Sequence, residues 1–438
     1  MPNAHMQDAR KSPEWFTRGV MYQIQPRAFT PEGTLKAAAE KLPYLKDLGV
    51  TIAYLVPVMK MDTDMDKVFW SPRQIKSGFD NPKNQYRISD YFHVDEEYGT
   101  DADLRDFCAA AHGIGMKVVF DLVYLHCGPT APVLKEHPEF TWWNPDGTVK
   151  KGPWRFPKLN FAEPKLREYL IGNILYLMKE YGADGFRCDV ASSVPVEFWC
   201  RAREAVAQVR PDAIWLAESV HGIHNRYMRA QGAVAVSDGD LYRAFDMTYD
   251  YDIWPHIEEM FEDRRNFKTY LHMLNMQEAA YTDNYVKLRC FENHDQPRLA
   301  SRVASEEALH NYLAMLYFLR GTTLLYSGME FAPRHQVSLF EKEDSFAEKN
   351  EDLQDYLRTL RKMKAALPLS ASGFWAEEGA EGIAVMYYDC PTQHVRGLFS
   401  PYGCRGNVKV DLPDGEYENL LGGMVTVKNG AVAFEGKP

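Results

Sequence analysis

Short apolar runs rich in β-branched and aromatic residues alternate with amphipathic stretches through most of the chain. The runs lie at 20–24, 52–58, 117–123, 185–189, 213–217, 244–248, 286–291 and 323–326. Each has strand length, and near-continuous hydrophobicity is what a strand covered on both faces requires. Between them a 3.6-residue period predicts helices, among them 35–48, 101–113, 164–181, 196–209, 306–319 and 352–367. Glycine turns at Leu48-Gly49, Gly113-Ile114-Gly115 and Tyr181-Gly182 each serve to end a helix and begin the next strand. Such alternation fits an α/β fold, either a parallel (β/α)8 TIM barrel or a doubly wound sheet. Polar residues gather just past the carboxyl ends of several different strands, where a barrel assembles its active site, and this favours the barrel.

After about residue 369 the period changes to two, with strand patterns at 382–389, 395–400, 407–412, 424–427 and 431–434 and a tight hairpin turn at Lys428-Asn429-Gly430. A small C-terminal antiparallel β-domain without catalytic groups is predicted. The stretch 127–163, rich in Pro, Trp and Lys, is too long for an ordinary strand-to-helix loop and reads as a short excursion after the third strand. The expected organisation is a catalytic barrel over 1–126 and 164–368, an excursion domain over 127–163, and a C-terminal β-sandwich over 369–438.

Composition narrows the partners. A net charge of −11, with no cluster of Lys and Arg, argues against nucleic acid, which requires clustered cations to displace counterions. The nine Trp and 25 Tyr suit stacking on sugar rings and equally suit a large packed core. Seven cysteines, at 108, 127, 188, 200, 290, 390 and 404, are odd in number and form no CxxC pair, so no metal or redox site is expected and a reducing cytoplasm is the simplest home. Residues 1–15 carry no apolar core of signal-peptide length, and no later segment approaches a membrane span, so no membrane partner is expected either.

The sharpest chemical signal is Gly185-Phe186-Arg187-Cys188-Asp189, because alternate strand residues share a face and bring Arg187 beside Asp189. An arginine there would hold the carboxylate ionised, as a nucleophile requires, although a structural ion pair explains the pair equally well. Glu218 follows the run 213–217, and Asp295 closes Phe291-Glu292-Asn293-His294-Asp295. A lone acid at such a place more often caps a helix, but three acids at one barrel mouth suit retaining glycoside hydrolysis. In that reaction one carboxyl attacks the anomeric carbon, and a second, about 5 Å away, protonates the leaving oxygen.

From Met21-Tyr22-Gln23-Ile24 through the barrel, the chain resembles the α-amylase family of retaining glycoside hydrolases, glycoside hydrolase family 13. Asp121-Leu122-Val123-Tyr124-Leu125-His126 resembles that family's first motif, 185–189 its second, 215–218 its third and 291–295 its fourth, while 48–57 and 321–328 resemble its second-strand and eighth-strand signatures. The resemblance implies catalytic roles for Asp189 as nucleophile, Glu218 as acid/base and Asp295 as a clamp on sugar hydroxyls. It further implies that Arg187 orients the nucleophile, that His126 and His294 donate to hydroxyls, that Tyr86 stacks beneath the sugar ring, and that Asp121 holds Arg187 from behind.

Departures from the family pattern shape the expected activity. Leu125 stands where many relatives carry a calcium-ligating Asn, and Lys158 stands where they carry Asp, so no metal is expected near Asn160 and no cofactor at all. Val190-Ala191-Ser192-Ser193 lacks the Lys-His pair that grips leaving-group sugars in endo-acting relatives, and Pro82-Lys83-Asn84-Gln85 lacks the Asp and Gly of exo-glucosidases. The short excursion predicts an open cleft roofed partly by Trp142, Trp143 and Trp154, which either bind sugar or pack the excursion on the barrel. The expected substrate is a malto-oligosaccharide or related α-glucan oligosaccharide. A transglycosylase, a sucrose- or trehalose-acting relative, and a non-catalytic barrel scaffold remain as alternatives. Tyr387, Tyr388 and Tyr417 suggest packing in the C-terminal domain rather than a glycan platform.

Overall fold

Eight parallel strands close on themselves: β1 Val20–Ile24, β2 Ile52–Leu55, β3 Lys117–Leu122, β4 Gly185–Cys188, β5 Ile214–Ala217, β6 Met247–Tyr249, β7 Val286–Arg289 and β8 Thr322–Tyr326, with β8 pairing back onto β1. The computed structural model describes residues 12–369 and 373–438. Residues 1–11, expected from their composition to carry no leader-like apolar core, and 370–372, beside the expected C-terminal boundary, lie outside the described residues.

Apart from the half-buried Lys117, all barrel-strand residues are buried, because the barrel interior covers one face and the helices the other. That double burial is why the strands read as apolar runs rather than as alternations. Gly182, at φ 80°, ends the helix Pro164–Tyr181 in the left-handed conformation that a side chain would strain, so the glycine turn before β4 does what its sequence suggests. The expected helix 35–48 is instead two helices, Leu35–Glu40 and Leu42–Asp47, since Pro43 has no amide hydrogen to continue the first. The sixth strand begins three residues later than its apolar run, because Ala244 and Phe245 both donate their backbone N–H to Leu241 O and finish the preceding turn. Two further helices, Trp254–Glu262 and Phe267–Ala280, fill the connection between β6 and β7.

The stretch between β3 and the helix Pro164–Tyr181 forms a short excursion with one helix, Pro132–Glu136, and otherwise only 3-10 turns and isolated bridges, including His126 to Lys158. Beyond the barrel, Gly373–Ala380, Ile383–Cys390 and Gln393–Phe399 form an antiparallel sheet, joined by two strand pairs, Gly406–Lys409 with Ala431–Phe434 and Gly415–Glu418 with Met424–Val427. Asn429 and Gly430 turn left-handed, at φ 55° and 65°, and Lys428 N–H donates to Ala431 O, as the hairpin signal predicts. The strands flanking that turn nevertheless enter different pairs. Polar side chains fasten this region to the barrel helices: the Asn275 amide exchanges hydrogen bonds of 2.7 and 2.9 Å with the Ala376 backbone, and Tyr388 Oη donates to Phe318 O. Tyr388 is buried against Phe318 and Phe374, while Tyr387 points from the opposite face and packs on Arg396, so the two cannot share one sugar-binding platform. None of the seven cysteines is in a disulfide, and among the described residues no helix is long and apolar enough to cross a membrane.

Candidate active site

Strand register builds the centre. Asp121 on β3 lies directly beside Arg187 on β4, and Asp189 follows two residues later on the same side. Arg187 Nη1 donates to Asp121 Oδ1 at 2.8 Å and to Asp189 Oδ1 at 2.9 Å, and Nη2 reaches Glu218 Oε2 at 2.7 Å. Glu218 arrives at the end of β5, the strand paired with β4. One guanidinium thus holds three carboxyl groups from three neighbouring strands. Tyr54 on β2 donates to Asp121 Oδ2 at 2.6 Å and fixes the back of the cluster. The rings of Tyr86 and Tyr249 lie 6.0 and 5.8 Å from the guanidinium carbon.

Val190 turns the chain left-handed immediately after Asp189, at φ 43° and ψ 40°. That conformation costs a β-branched residue about 1–2 kcal/mol. What it provides is position: Val190 N–H donates to Glu218 Oε2 at 2.7 Å. Both Arg187 and Val190 therefore approach Oε2, which leaves Oε1 as the oxygen for an acidic proton.

On the far side of the site, His294 is held by Gln23 of β1. The His294 backbone N–H donates to Gln23 Oε1 at 3.3 Å, which orients the amide so that Gln23 Nε2 donates to His294 Nδ1 at 2.7 Å. The imidazole proton then belongs on Nε2, facing Tyr86 Oη at 2.7 Å and Asp295 Oδ2 at 3.2 Å. Tyr86 also stacks on His294, with centroids 5.6 Å apart and planes 14° off parallel. Arg73 completes this side, donating Nη1 to Asp295 Oδ1 at 2.5 Å and Nη2 to His294 O at 2.7 Å.

These groups open on a cavity of about 170 Å³ whose walls include Tyr86, His126, Asp189, Glu218, His294 and Asp295, with Arg73, Asn84, Trp154 and Phe156. Every residue expected at the site is therefore in one place: seven line or adjoin the space, and Asp121 sits behind Arg187. His126 Nε2 is 3.8 Å from Asp189 Oδ2, and its ring packs edge-on to Trp154 and Phe156, at 5.6 and 4.9 Å. Among the described residues His126 Nδ1 is buried with no hydrogen-bond partner. Of the three tryptophans expected to roof the cleft, only Trp154 belongs to its walls. Trp142 and Trp143 are exposed elsewhere on the excursion, and Trp143 Nε1 donates to Pro138 O.

Electrostatics amends one expectation. Burial lifts the Asp189 carboxyl well above the ordinary range, and Glu218 and Asp121 add to the rise, so Arg187 does not by itself keep Asp189 as acidic as a free aspartate. Burial likewise raises Asp121 to about 6 against the pull of Arg187. Asp121 and Asp189 share one guanidinium and burial raises both, so these two carboxyls titrate together rather than independently. Asp295 behaves oppositely: burial raises it, but His294, Arg73 and Arg187 outweigh burial and hold it below the usual range. Burial lowers His126 to about 3 and His294 to about 4, so both imidazoles are neutral hydrogen-bonding groups at ordinary pH.

Gln23, Tyr54 and Arg73 join the site without having been expected there. Gln23 and Tyr54 lie within apolar strand runs, where a polar residue pointing inward is the available signal. Arg73 has none, since its helix, Pro72–Ser77, belongs to a long loop whose packing is tertiary. Near Asn160, where the sequence leads to no expected metal, the Asn160 amide donates to Glu139 O and its side-chain oxygen accepts Ala162 N–H, and burial lowers the Lys158 ammonium. Among the described residues no group of three or more His, Cys, Asp or Glu is arranged to hold a metal ion.

Comparison with known proteins gives a consistent result. The model of the alpha amylase catalytic domain matches residues 11–151 and 139–366, and that of the bacterial alpha amylase C-terminal domain matches 376–438. An intracellular maltogenic amylase of Bacillus subtilis is 26% identical over 411 residues, covering 83% of this chain and 64% of that protein. A cyclomaltodextrinase of Thermoanaerobacter pseudethanolicus is 28% identical over 252 residues, 48% of this chain and 41% of that protein. The chain thus spans just under two thirds of the length of the maltogenic amylase it matches. Among solved structures, an alpha-amylase from Lactobacillus plantarum superposes with a TM-score of 0.89 at 32% identity, over 96% of this chain and 97% of that one. A noncanonic maltogenic alpha-amylase from Thermotoga neapolitana, 24% identical over 95% of this chain and 96% of its own, shares the fold with a TM-score of 0.80.

Proposed function

The chain belongs to the alpha-amylase family, and from that premise we propose that it is a retaining hydrolase of α-glucosidic bonds in malto-oligosaccharides and related α-glucans. The observation that carries this reading is the meeting of Asp189, Glu218 and Asp295 around one cavity of about 170 Å³, with Asp189 and Glu218 resting on the same guanidinium. Two carboxyl groups so held suit the short separation, about 5–5.5 Å, at which one attacks and the other transfers protons.

In the proposed reaction Asp189 attacks the anomeric carbon and forms a covalent glycosyl ester, while Glu218 gives its Oε1 proton to the departing sugar oxygen. Glu218, now ionised, takes a proton from water, which attacks the ester and regenerates Asp189. Inversion at each step restores the starting anomer. Asp295, ionised and held by Arg73 and His294, accepts hydroxyls of the sugar as its ring flattens, and the neutral His294 and His126 donate to others. Asp121 and Tyr54 keep Arg187 aimed at the nucleophile. The excursion contributes Trp154 to the wall, where an exposed indole offers a stacking face to an adjoining sugar.

Maltotriose, sucrose and trehalose supplied separately, with products followed by proton NMR before mutarotation, test the proposal. Maltotriose should be cleaved and the first product should be the α-anomer. Release of the β-anomer, or turnover of sucrose or trehalose alone, would reject it. Trp154→Ala should raise KM for maltotriose about tenfold with little change in kcat, since stacking on a sugar away from the reacting carbon contributes binding rather than chemistry. An unchanged KM would return Trp154 to a packing role.

A further inference from the structure

Arg73 lies outside every motif singled out along the chain, yet it makes the shortest contact to an acid of the site. Its guanidinium spans two consecutive residues, with Nη1 on the Asp295 carboxylate at 2.5 Å and Nη2 on the His294 carbonyl at 2.7 Å. A planar fork that satisfies two acceptors at once fixes direction as well as distance.

The helix carrying Arg73 is itself anchored. Ser71 caps it, its side chain accepting Gln74 N–H at 3.1 Å, and Pro72 occupies its first turn. Gln74 is fully buried and donates Nε2 to Asn81 O at 2.8 Å and to Pro82 O at 3.2 Å, which ties the helix to the segment leading to Asn84 and Tyr86. Arg73 therefore approaches Asp295 from the same loop that supplies Tyr86, opposite the strands that supply Asp189 and Glu218.

The state of Asp295 follows from these contacts. Oδ1 receives Arg73 and Oδ2 faces the protonated Nε2 of His294 at 3.2 Å. A carboxylate has about four lone-pair sites, so one direction on each oxygen remains for sugar hydroxyls. The side chain of Asp295 is about one third exposed, so its orientation depends on Arg73 and His294.

We infer that Arg73 is a positioning residue for Asp295, which it locks in the orientation that accepts the hydroxyls of the sugar being cleaved. The inference rests on the hydrolase reading above and adds to it a residue that acts through Asp295 and touches none of the reacting atoms.

A double-mutant cycle on the full chain separates this role from a merely structural one. Arg73→Gln should lower kcat/KM on maltotriose about 10- to 100-fold, chiefly through kcat, because Asp295 binds most tightly as the ring flattens. Asp295→Asn should cost about a thousandfold or more, and adding Arg73→Gln to it should change the rate by less than about threefold, since the partner is already lost. Arg73→Lys should recover only part of the loss, an ammonium being unable to span both acceptors. Full additivity of the two losses, or a wild-type rate for Arg73→Gln beside an inactive Asp295→Asn, would overturn the inference. Should Arg73→Gln fail to fold, the cycle is run with Arg73→Lys, where the same loss of additivity is expected and full additivity again overturns the inference. An Asp295→Asn as active as the wild type would overturn the inference through its premise, the clamp role of Asp295, whereas a wild-type chain that leaves maltotriose uncleaved would overturn the hydrolase reading itself.

Discussion

Asp189→Asn is expected to lower kcat on maltotriose by about 10,000-fold or more while the protein stays folded, because an amide cannot form the glycosyl ester and the rest of the site only binds and orients. Breaking a buried ion pair usually destabilises by several kcal/mol, since it strands an uncompensated charge. Here Arg187 keeps Asp121 at 2.8 Å and Glu218 at 2.7 Å, and the repulsion of the third carboxylate disappears. The melting temperature should therefore move by no more than about 3 °C in either direction. Calorimetric melting beside single-turnover kinetics checks both halves. A variant that turns over at the wild-type rate would remove Asp189 from the chemistry, and one that is inactive because it has unfolded would show that the cluster is needed to build the barrel.

Glu218→Gln should cost about 1,000-fold on maltotriose but far less on α-maltosyl fluoride, whose leaving group departs without a proton. Glu218 carries two proton transfers, and the fluoride bypasses the first. The remaining second step should respond to azide, an anion that attacks the glycosyl ester without needing a base. The pH profile gives an independent sign. The nucleophile must be ionised to attack, and burial raises the Asp189 carboxyl well above the ordinary range, with Glu218 and Asp121 adding to the rise. Activity therefore falls as pH drops through the raised pKa of Asp189. For Glu218→Gln acting on the fluoride that acid limb should persist but move to lower pH, since the neutral amide no longer adds to the rise of Asp189. Equal losses on maltotriose and the fluoride would mean that Glu218 does something other than move protons.

What the chain discloses about itself follows from how local each determinant is. Parallel strands buried on both faces are continuous apolar runs, and all eight are visible that way, with β6 displaced because its run includes the end of a preceding turn. Alternation alone fits a doubly wound sheet as well, and the barrel with its gathering of Asp189, Glu218 and Asp295 is legible from the polar residues just past the carboxyl ends of several strands and from the motifs that resemble the α-amylase family. Strands such as Gly373–Ala380 are not, since Glu377 and Glu378 interrupt the alternation and burial there depends on neighbours in other parts of the chain. The same holds for the site. Arg187 stands two residues from the acid it serves and announces itself, whereas Arg73 and Asp295 are separated by 222 positions and meet only because a buried Gln74 fixes the intervening loop. The sign of the Asp189 shift is hidden for a related reason: sequence shows the adjacent arginine but neither the burial that raises the carboxyl nor the two further acids that add to the rise.

A valine wound against its own preference beside the nucleophile sets stability against catalysis at a single position. Glycine at position 190 would relieve that tension and firm up the whole molecule, yet it would also slacken the amide on which Glu218 leans. Position 190 is thus a place where resistance to heat and speed of turnover pull in opposite directions.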